Sequence, residues 1–129
     1  MEELLETSDI VTIHCALTPE TRNLIDETTI ETMKPGAILI NTARGEIVDP
    51  AAVAEALRSG KLVYAAFDVH AKEPIPDDYP LKEIDNVILT PHIAGVTADS
   101  FRAMMHDAFR NIASFDKGEL DAIAPYRYL

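Results

Sequence analysis

Ile38-Leu39-Ile40-Asn41-Thr42-Ala43-Arg44, followed at once by Gly45, is the stretch around which the chain is organised. Its continuous apolar run reads as a strand buried on both faces, as in a parallel sheet. Two small polar residues, Asn41 and Thr42, interrupt it, and Arg44 arrives at the carboxyl end, where open α/β sheets receive ligands. Gly45 lets the backbone turn sharply behind the guanidinium. Arg44 therefore reads as a clamp for a carboxylate at the mouth of a nucleotide-binding sheet; the alternative is an ordinary strand-end arginine in a surface salt bridge.

The flanking sequence extends the pattern in both directions. Glu2 to Glu6 forms a short helical turn, and Ile10 to Ala16 is a β-branched strand. Pro19 breaks the chain, a short helix covers Thr28 to Met33, and Lys34-Pro35-Gly36 turns into the central strand. Asp49-Pro50 is a helix start, with Asp as N-cap and Pro in the first turn; Val53, Ala56 and Leu57 form its apolar stripe and Gly60 its stop. Leu62 to Val69 is the next strand, with Asp68 near its end. The proline-rich Glu73 to Pro80 is a loop, and Asn86 to Thr90 a further short strand ending at Pro91-His92. Thr97 caps a long final helix whose Phe101, Met104, Met105, Ala108, Phe109 and Ile112 share one face. Gly118 ends that helix, and the tail from Asp121 is extended. Strands alternating with helices define an open parallel α/β sheet with right-handed crossovers.

Bulk properties narrow the function. A chain of 129 residues suffices for one domain with a real core. The formal net charge of −11 argues against nucleic acid or an anionic membrane as partners. It leaves an anionic substrate open, since one or two local cations suffice. Cys15 is the single cysteine, which fits a reducing compartment. No apolar run reaches a membrane-spanning length, and the acidic N-terminus lacks the features of a signal peptide. The expected setting is the cytoplasm, and no metal is called for.

Three strand ends then carry the chemistry: Arg44, Asp68 with Glu73 just beyond, and His92. In a parallel sheet these ends lie along one edge. A guanidinium grips a carboxylate through two parallel hydrogen bonds. An imidazole exchanges a proton near neutral pH, and a carboxylate beside it favours its charged form. The set fits removal of a hydroxyl proton while a hydride leaves the same carbon. Elsewhere, His14 reads as a strand-end filler, Cys15 as a buried small residue and His106 as solvent-exposed.

LTPETRNLID, MKPGAILINTARGEIVD, AAFDVHAKEP and NVILTPHIAG resemble, in order and spacing, the D-isomer-specific 2-hydroxyacid dehydrogenases, the group of phosphoglycerate, glyoxylate/hydroxypyruvate, D-lactate and formate dehydrogenases. The resemblance covers nearly the whole chain. It implies an NAD-dependent oxidoreductase with a Rossmann cofactor domain, acting on a small 2-hydroxy or 2-oxo acid. By that resemblance Arg44 binds the substrate carboxylate, His92 is the acid/base, and Glu73 pairs with it. Asp68 is then placed near the nicotinamide carboxamide, with cofactor contacts from Cys15, Ala16, Leu17, Thr42, Ala43, Ala94 and Gly95. His70 stands where the family usually carries an aromatic such as Phe, and reads as a changed packing residue, with contact to the site as the alternative.

One departure is large. The five glycines, Gly36, Gly45, Gly60, Gly95 and Gly118, form no G-x-G-x-x-G, and no acidic ribose ligand follows one. The family's substrate domain is also missing. Residues 1–129 therefore read as the carboxyl-terminal part of a dinucleotide-binding domain, a partial Rossmann-like parallel sheet with flanking helices that lacks its first two strands. In the Rossmann order, Ile10–Ala16 is taken as the third strand and the central strand as the fourth, with the missing pair between them. The gap is expected to close by direct pairing of Ile10–Ala16 with Ile38–Thr42, or by a second chain. That chain is a homo-oligomer copy or a complementing N-terminal half. The competing reading is a remnant or binding module without turnover.

Overall fold

A computed structural model of the chain describes residues 1–119. The chain falls into two compact units, Met1–Ala94 and a second beginning at Gly95. The first holds a four-stranded sheet: β1 (Ile10–Ile13), β2 (Ala37–Asn41), β3 (Leu62–Phe67) and β4 (Val87–Leu89), paired side by side in chain order. Every pairing is parallel. Helices α1 (Glu2–Thr7), α2 (Glu27–Thr32) and α3 (Pro50–Ser59) belong to the same unit, and α4 (Ala98–Asp116) to the second.

Local sequence sets each boundary. At α2, Asp26 accepts from the Thr29 amide at 2.9 Å while its own amide donates to the Thr29 hydroxyl at 2.7 Å, a reciprocal cap. At α3, Asp49 accepts from Ala51 and Ala52, and Pro50 opens the first turn as its fixed φ favours. Gly60 closes α3 at φ +77°, a left-handed conformation that costs other residues but not glycine. Thr97 and Ser100 cap α4 in the same reciprocal manner, and Gly118 follows its end at φ +73°.

Alternation decides which side chains enter the core. Val11 and Ile13 of β1, and Ala37, Leu39 and Asn41 of β2, point inward. They pack with Leu5 of α1, Ile30 of α2, and Val53, Ala54, Ala56 and Leu57 of α3 in one cluster. At roughly 1.5–3 kcal/mol for each large aliphatic side chain removed from water, this cluster dominates the unit's stability.

The central strand is not buried on both faces as its apolar run implies, because Ile38 and Ile40 are only half-buried. It also stops at Asn41 rather than Arg44. β1 likewise ends at Ile13 rather than Ala16, since its register places Ile13 beside Asn41 and the ladder has no partner beyond. β3 and β4 are shorter than expected for the same reason: the last matched residues are Phe67 and Leu89.

β1 pairs directly with β2, Ile10 beside Ile38 through Ile13 beside Asn41, so no strand lies between them. Of the two expected ways of closing the gap, direct pairing is the one observed. The outer edge of the described sheet is therefore β1 itself. Along α4, Phe101, Met104, Phe109 and Ile112 are each more than half exposed, and His106 is exposed as expected. The tail from Asp121 lies outside the described residues.

Candidate active site

Because the strands run parallel, β2, β3 and β4 deliver their carboxyl ends to one edge of the sheet. Asn41, wholly buried at the end of β2, builds the first turn. Its side-chain oxygen accepts from the Ala43 amide at 3.0 Å, and its amide nitrogen donates to the Arg44 carbonyl at 2.9 Å. Arg44 is thereby carried to the surface, where its guanidinium donates to the Ala43 carbonyl at 2.6 Å. Among the described residues Arg44 makes no salt bridge, so the salt-bridge alternative has no partner here.

Gly45 serves a different purpose from the sharp turn expected of it. A methyl group on its Cα would lie 2.1 Å from the His70 carbonyl carbon and 2.2 Å from the Ala71 amide nitrogen. Only a hydrogen fits between these two backbones. Together with the 3.0 Å bond from the Asp68 amide to the Asn41 carbonyl, this contact locks the turn carrying Arg44 against the turn carrying Glu73.

At the end of β3, Asp68 is only 5% exposed and its carboxylate is fully engaged. It accepts from the Thr90 hydroxyl at 2.5 Å, the Ile93 amide at 2.8 Å and the Ala94 amide at 2.8 Å. Burial by itself would push this carboxyl up. The bonds from Thr90, Ala94 and Ile93, with the nearby His92, outweigh that and hold it below the ordinary value. Asp68 thus staples the turn that follows β4. His92 sits in this turn at φ +56°, a region that side chains other than glycine enter at a cost.

The His92 ring meets Glu73 with Nδ1 3.0 Å from Oε2. A carboxylate only accepts, so the ring hydrogen facing it lies on Nδ1 and Nε2 is left as the proton-exchanging atom. The bond to His92, then that from the His70 amide, holds the Glu73 carboxyl below its ordinary value. The pair is partly open to solvent, 48% for His92 and 37% for Glu73.

Two separate cavities flank these groups. One, of about 620 Å³, is lined by His14, Cys15, Ala16, Leu17, Thr42, Ala43 and Arg44. It gathers the sequence-derived cofactor candidates Cys15, Ala16, Leu17, Thr42 and Ala43 around Arg44; Cys15, expected to be buried, is exposed. The other, of about 370 Å³, is bordered by His70, Glu73, Pro74, Ile75, Leu89, Thr90 and Pro91. Ala94 donates its amide to Asp68, and Gly95 begins the second unit, its carbonyl accepting from Thr97 at 3.1 Å. Sequence reading missed the part of Asn41; its only signal was a small amide inside an apolar run.

The family model of the D-isomer specific 2-hydroxyacid dehydrogenase NAD binding domain matches residues 1–94. The chain belongs to this family. It is 48% identical over 120 residues to a glyoxylate reductase of Thermofilum pendens, covering 93% of this chain and 35% of that protein. It is 51% identical over 104 residues to a D-3-phosphoglycerate dehydrogenase of Haemophilus influenzae, covering 78% and 25%. Among solved structures, a D-isomer specific 2-hydroxyacid dehydrogenase of Lactobacillus delbrueckii ssp. bulgaricus in its NAD-complexed form superposes with a TM-score of 0.82 at 35% identity, covering 91% of this chain and 40% of that one. One from Xanthobacter autotrophicus Py2, solved with NADPH and MES, gives 0.80 at 39% identity, covering 91% and 48%. The chain spans about a third of the length of curated relatives it matches.

NAD is the cofactor of this family, and the described residues fit one part of it. The small side chains Ala16, Thr42 and Ala43 leave strand-end backbone accessible around the cavity that holds Arg44. Among the described residues the pyrophosphate has no comparable seat. The N-termini of α2 and α3 are already occupied by the carboxylates of Asp26 and Asp49, where a phosphate would have to bind. No described helix is long and apolar enough to cross a membrane.

Proposed function

We propose that this chain supplies the acid/base and carboxylate-gripping side of an NAD-dependent oxidoreductase that acts on a small D-2-hydroxy or 2-oxo acid. The observation that carries this is the Glu73–His92 pair, 3.0 Å apart, on the edge to which β2 also delivers an arginine free of carboxylate partners among the described residues. NAD, when bound, exchanges a hydride with the substrate carbon. Arg44 grips the substrate carboxylate through its fork of N–H donors. His92 Nε2 takes the hydroxyl proton as the carbonyl forms, and returns it in the reverse direction. Glu73 fixes the ring tautomer and stabilises the imidazolium that forms. On this reading the wall from Cys15 to Leu17 with Thr42 and Ala43 faces the nicotinamide end, and Ala94 and Gly95 are the remaining cofactor candidates. Asp68 acts through the turn it staples.

The test is oxidation of NADH at 340 nm with glyoxylate as acceptor. Replacing His92 by Asn should lower the rate by about 10²-fold or more. Arg44→Lys should mainly raise the KM for the acid, because a point charge replaces a two-pronged grip. Absence of turnover in a correctly folded assembly of this chain with a glycine-rich N-terminal half would defeat the reading.

A second reading, binding without turnover by these residues alone, is favoured by the aspartate caps on the N-termini of α2 and α3 and by the lack of a G-x-G-x-x-G within residues 1–129. Calorimetric titration separates the two. If no pyrophosphate seat exists, NADH binds no more tightly than reduced nicotinamide mononucleotide; markedly tighter NADH binding favours the enzymatic reading. The proposal includes a chain pairing along the outer edge of β1, either an N-terminal half bearing the glycine-rich turn or a second copy. It also places the protein in the cytoplasm, where the exposed Cys15 thiol stays reduced.

A further inference from the structure

We infer that His70 is a positioning residue for the Glu73–His92 pair, tying the turn that carries one partner to the turn that carries the other. Its consequence for catalysis rests on the acid/base reading above; its structural part does not. His70 is only 8% exposed, yet both ring nitrogens have partners. Nε2 lies 3.1 Å from the Thr90 carbonyl, and Nδ1 lies 3.3 Å from the Tyr79 hydroxyl. A carbonyl only accepts, so the ring hydrogen is on Nε2 and Nδ1 accepts from Tyr79. Burial pushes the Tyr79 phenol up to about 12, which keeps it a donor across the working range. The two rings meet edge to face, with centroids 5.4 Å apart at 87°.

The backbone of the same residue completes the tie. The His70 amide donates to Glu73 Oε1 at 2.9 Å, while Oε2 faces His92. Glu73 is thus divided between His70 and His92, and Thr90, held by the His70 ring, stands two residues before His92. Gly45 packs against the His70 backbone so closely that a methyl group there would clash with it. The titratable groups facing this knot are Tyr79 against the ring, Glu73 against the amide, and Asp68 and His92 across Thr90. A phenylalanine here would fill the space and give Thr90 and Tyr79 nothing to bond.

The test uses the full 129-residue chain labelled with ¹⁵N, and reads the ring nitrogens of His92 at alkaline pH in the wild type and in His70→Phe, His70→Gln and His70→Asn. In the wild type the ring hydrogen of His92 sits on Nδ1. In His70→Phe the tautomer ratio should move toward Nε2–H by about threefold or more, the low end of coupling within one hydrogen-bond network. The Glu73 carboxyl should titrate closer to its ordinary value. His70→Gln, whose amide reaches where Nε2 lies, should restore the ratio in part. A folded His70→Phe with the wild-type ratio and Glu73 titration would overturn the inference. If His70→Phe does not fold, His70→Gln and His70→Asn decide, because only Gln reaches Thr90; equal ratios in the two would overturn it. Neither cofactor nor turnover enters the measurement, so failure of the proposed reaction would leave this result standing.

Discussion

Replacing Asp68 by Asn removes the charge that holds the turn around His92 while leaving the volume of the side chain unchanged. The carboxylate accepts from Thr90 and Ile93 on one oxygen and from Ala94 on the other. Asparagine offers a single acceptor oxygen. In its best orientation it keeps Thr90 and Ile93 and turns an NH₂ group toward the Ala94 amide, donor against donor. A hydrogen bond to a charged group is worth roughly 1.5–3 kcal/mol, and the two that survive weaken toward the neutral value. Relief of the buried charge opposes this loss. The carboxyl nevertheless lies below its ordinary value, so the bonds outweigh the burial. The net cost at pH 7 is then about 2 kcal/mol, or about thirtyfold in an opening equilibrium. Because His92 is held at φ +56°, the loosened turn should relax toward a commoner backbone conformation. The assay is amide hydrogen exchange read residue by residue. Ile93 and Ala94 should exchange at least about tenfold faster in the variant, with Val53 in α3 affected less. The pH dependence has a definite sign. The folded carboxyl lies below the unfolded one, so its stabilisation is complete above about pH 4 and is lost as pH falls through the folded value. The stability gap between wild type and variant in urea should therefore close on acidification. Exchange at Ile93 and Ala94 within twofold of wild type at pH 7 would refute the assigned role of Asp68.

Gly45→Ala should cost about 3 kcal/mol or more, because its methyl would meet backbone at 2.1 Å and no side chain can move aside; an unchanged urea midpoint would contradict the close approach. Asn41→Leu keeps the branched outline but strands the Ala43 amide and Arg44 carbonyl and overfills the site, at a cost of about 2 kcal/mol or more in urea unfolding. An effect below about 0.5 kcal/mol would mean that Asn41 only fills space.

What was legible in the sequence follows from what a linear pattern encodes. Asp49-Pro50 with Gly60 marked α3 at both ends because caps are local chemistry. Arg44 and His92 stood out because each lies just beyond an apolar run at a strand end, and Glu73 through its place before Pro74 in the family motif. Strand lengths were overread, since a strand stops where its neighbour stops, and the register of Ile13 beside Asn41 is a property of two segments. Strand pairing stayed open between two outcomes for the same reason: nothing in Ile10–Ala16 states which strand it adjoins, and the direct pairing with Ile38–Thr42 is the one observed. Gly45 was seen as a turn glycine, although its partner lies 25 residues away at His70. His70 stood open between a packing role and contact with the site, and its tie stayed hidden because Thr90 and Tyr79 reach it only through the fold. The missing glycine-rich turn, by contrast, was plain in the sequence, since five scattered glycines cannot form it.

The account turns on Arg44 and His92 serving one small anion. The most direct measurement follows the Arg44 guanidinium and the His92 ring together by NMR as glyoxylate is added to the labelled chain. Both sets of resonances should move along a single saturation curve, and Arg44→Lys should weaken the response at His92. Movement at one residue without the other, or two unrelated curves, would contradict it.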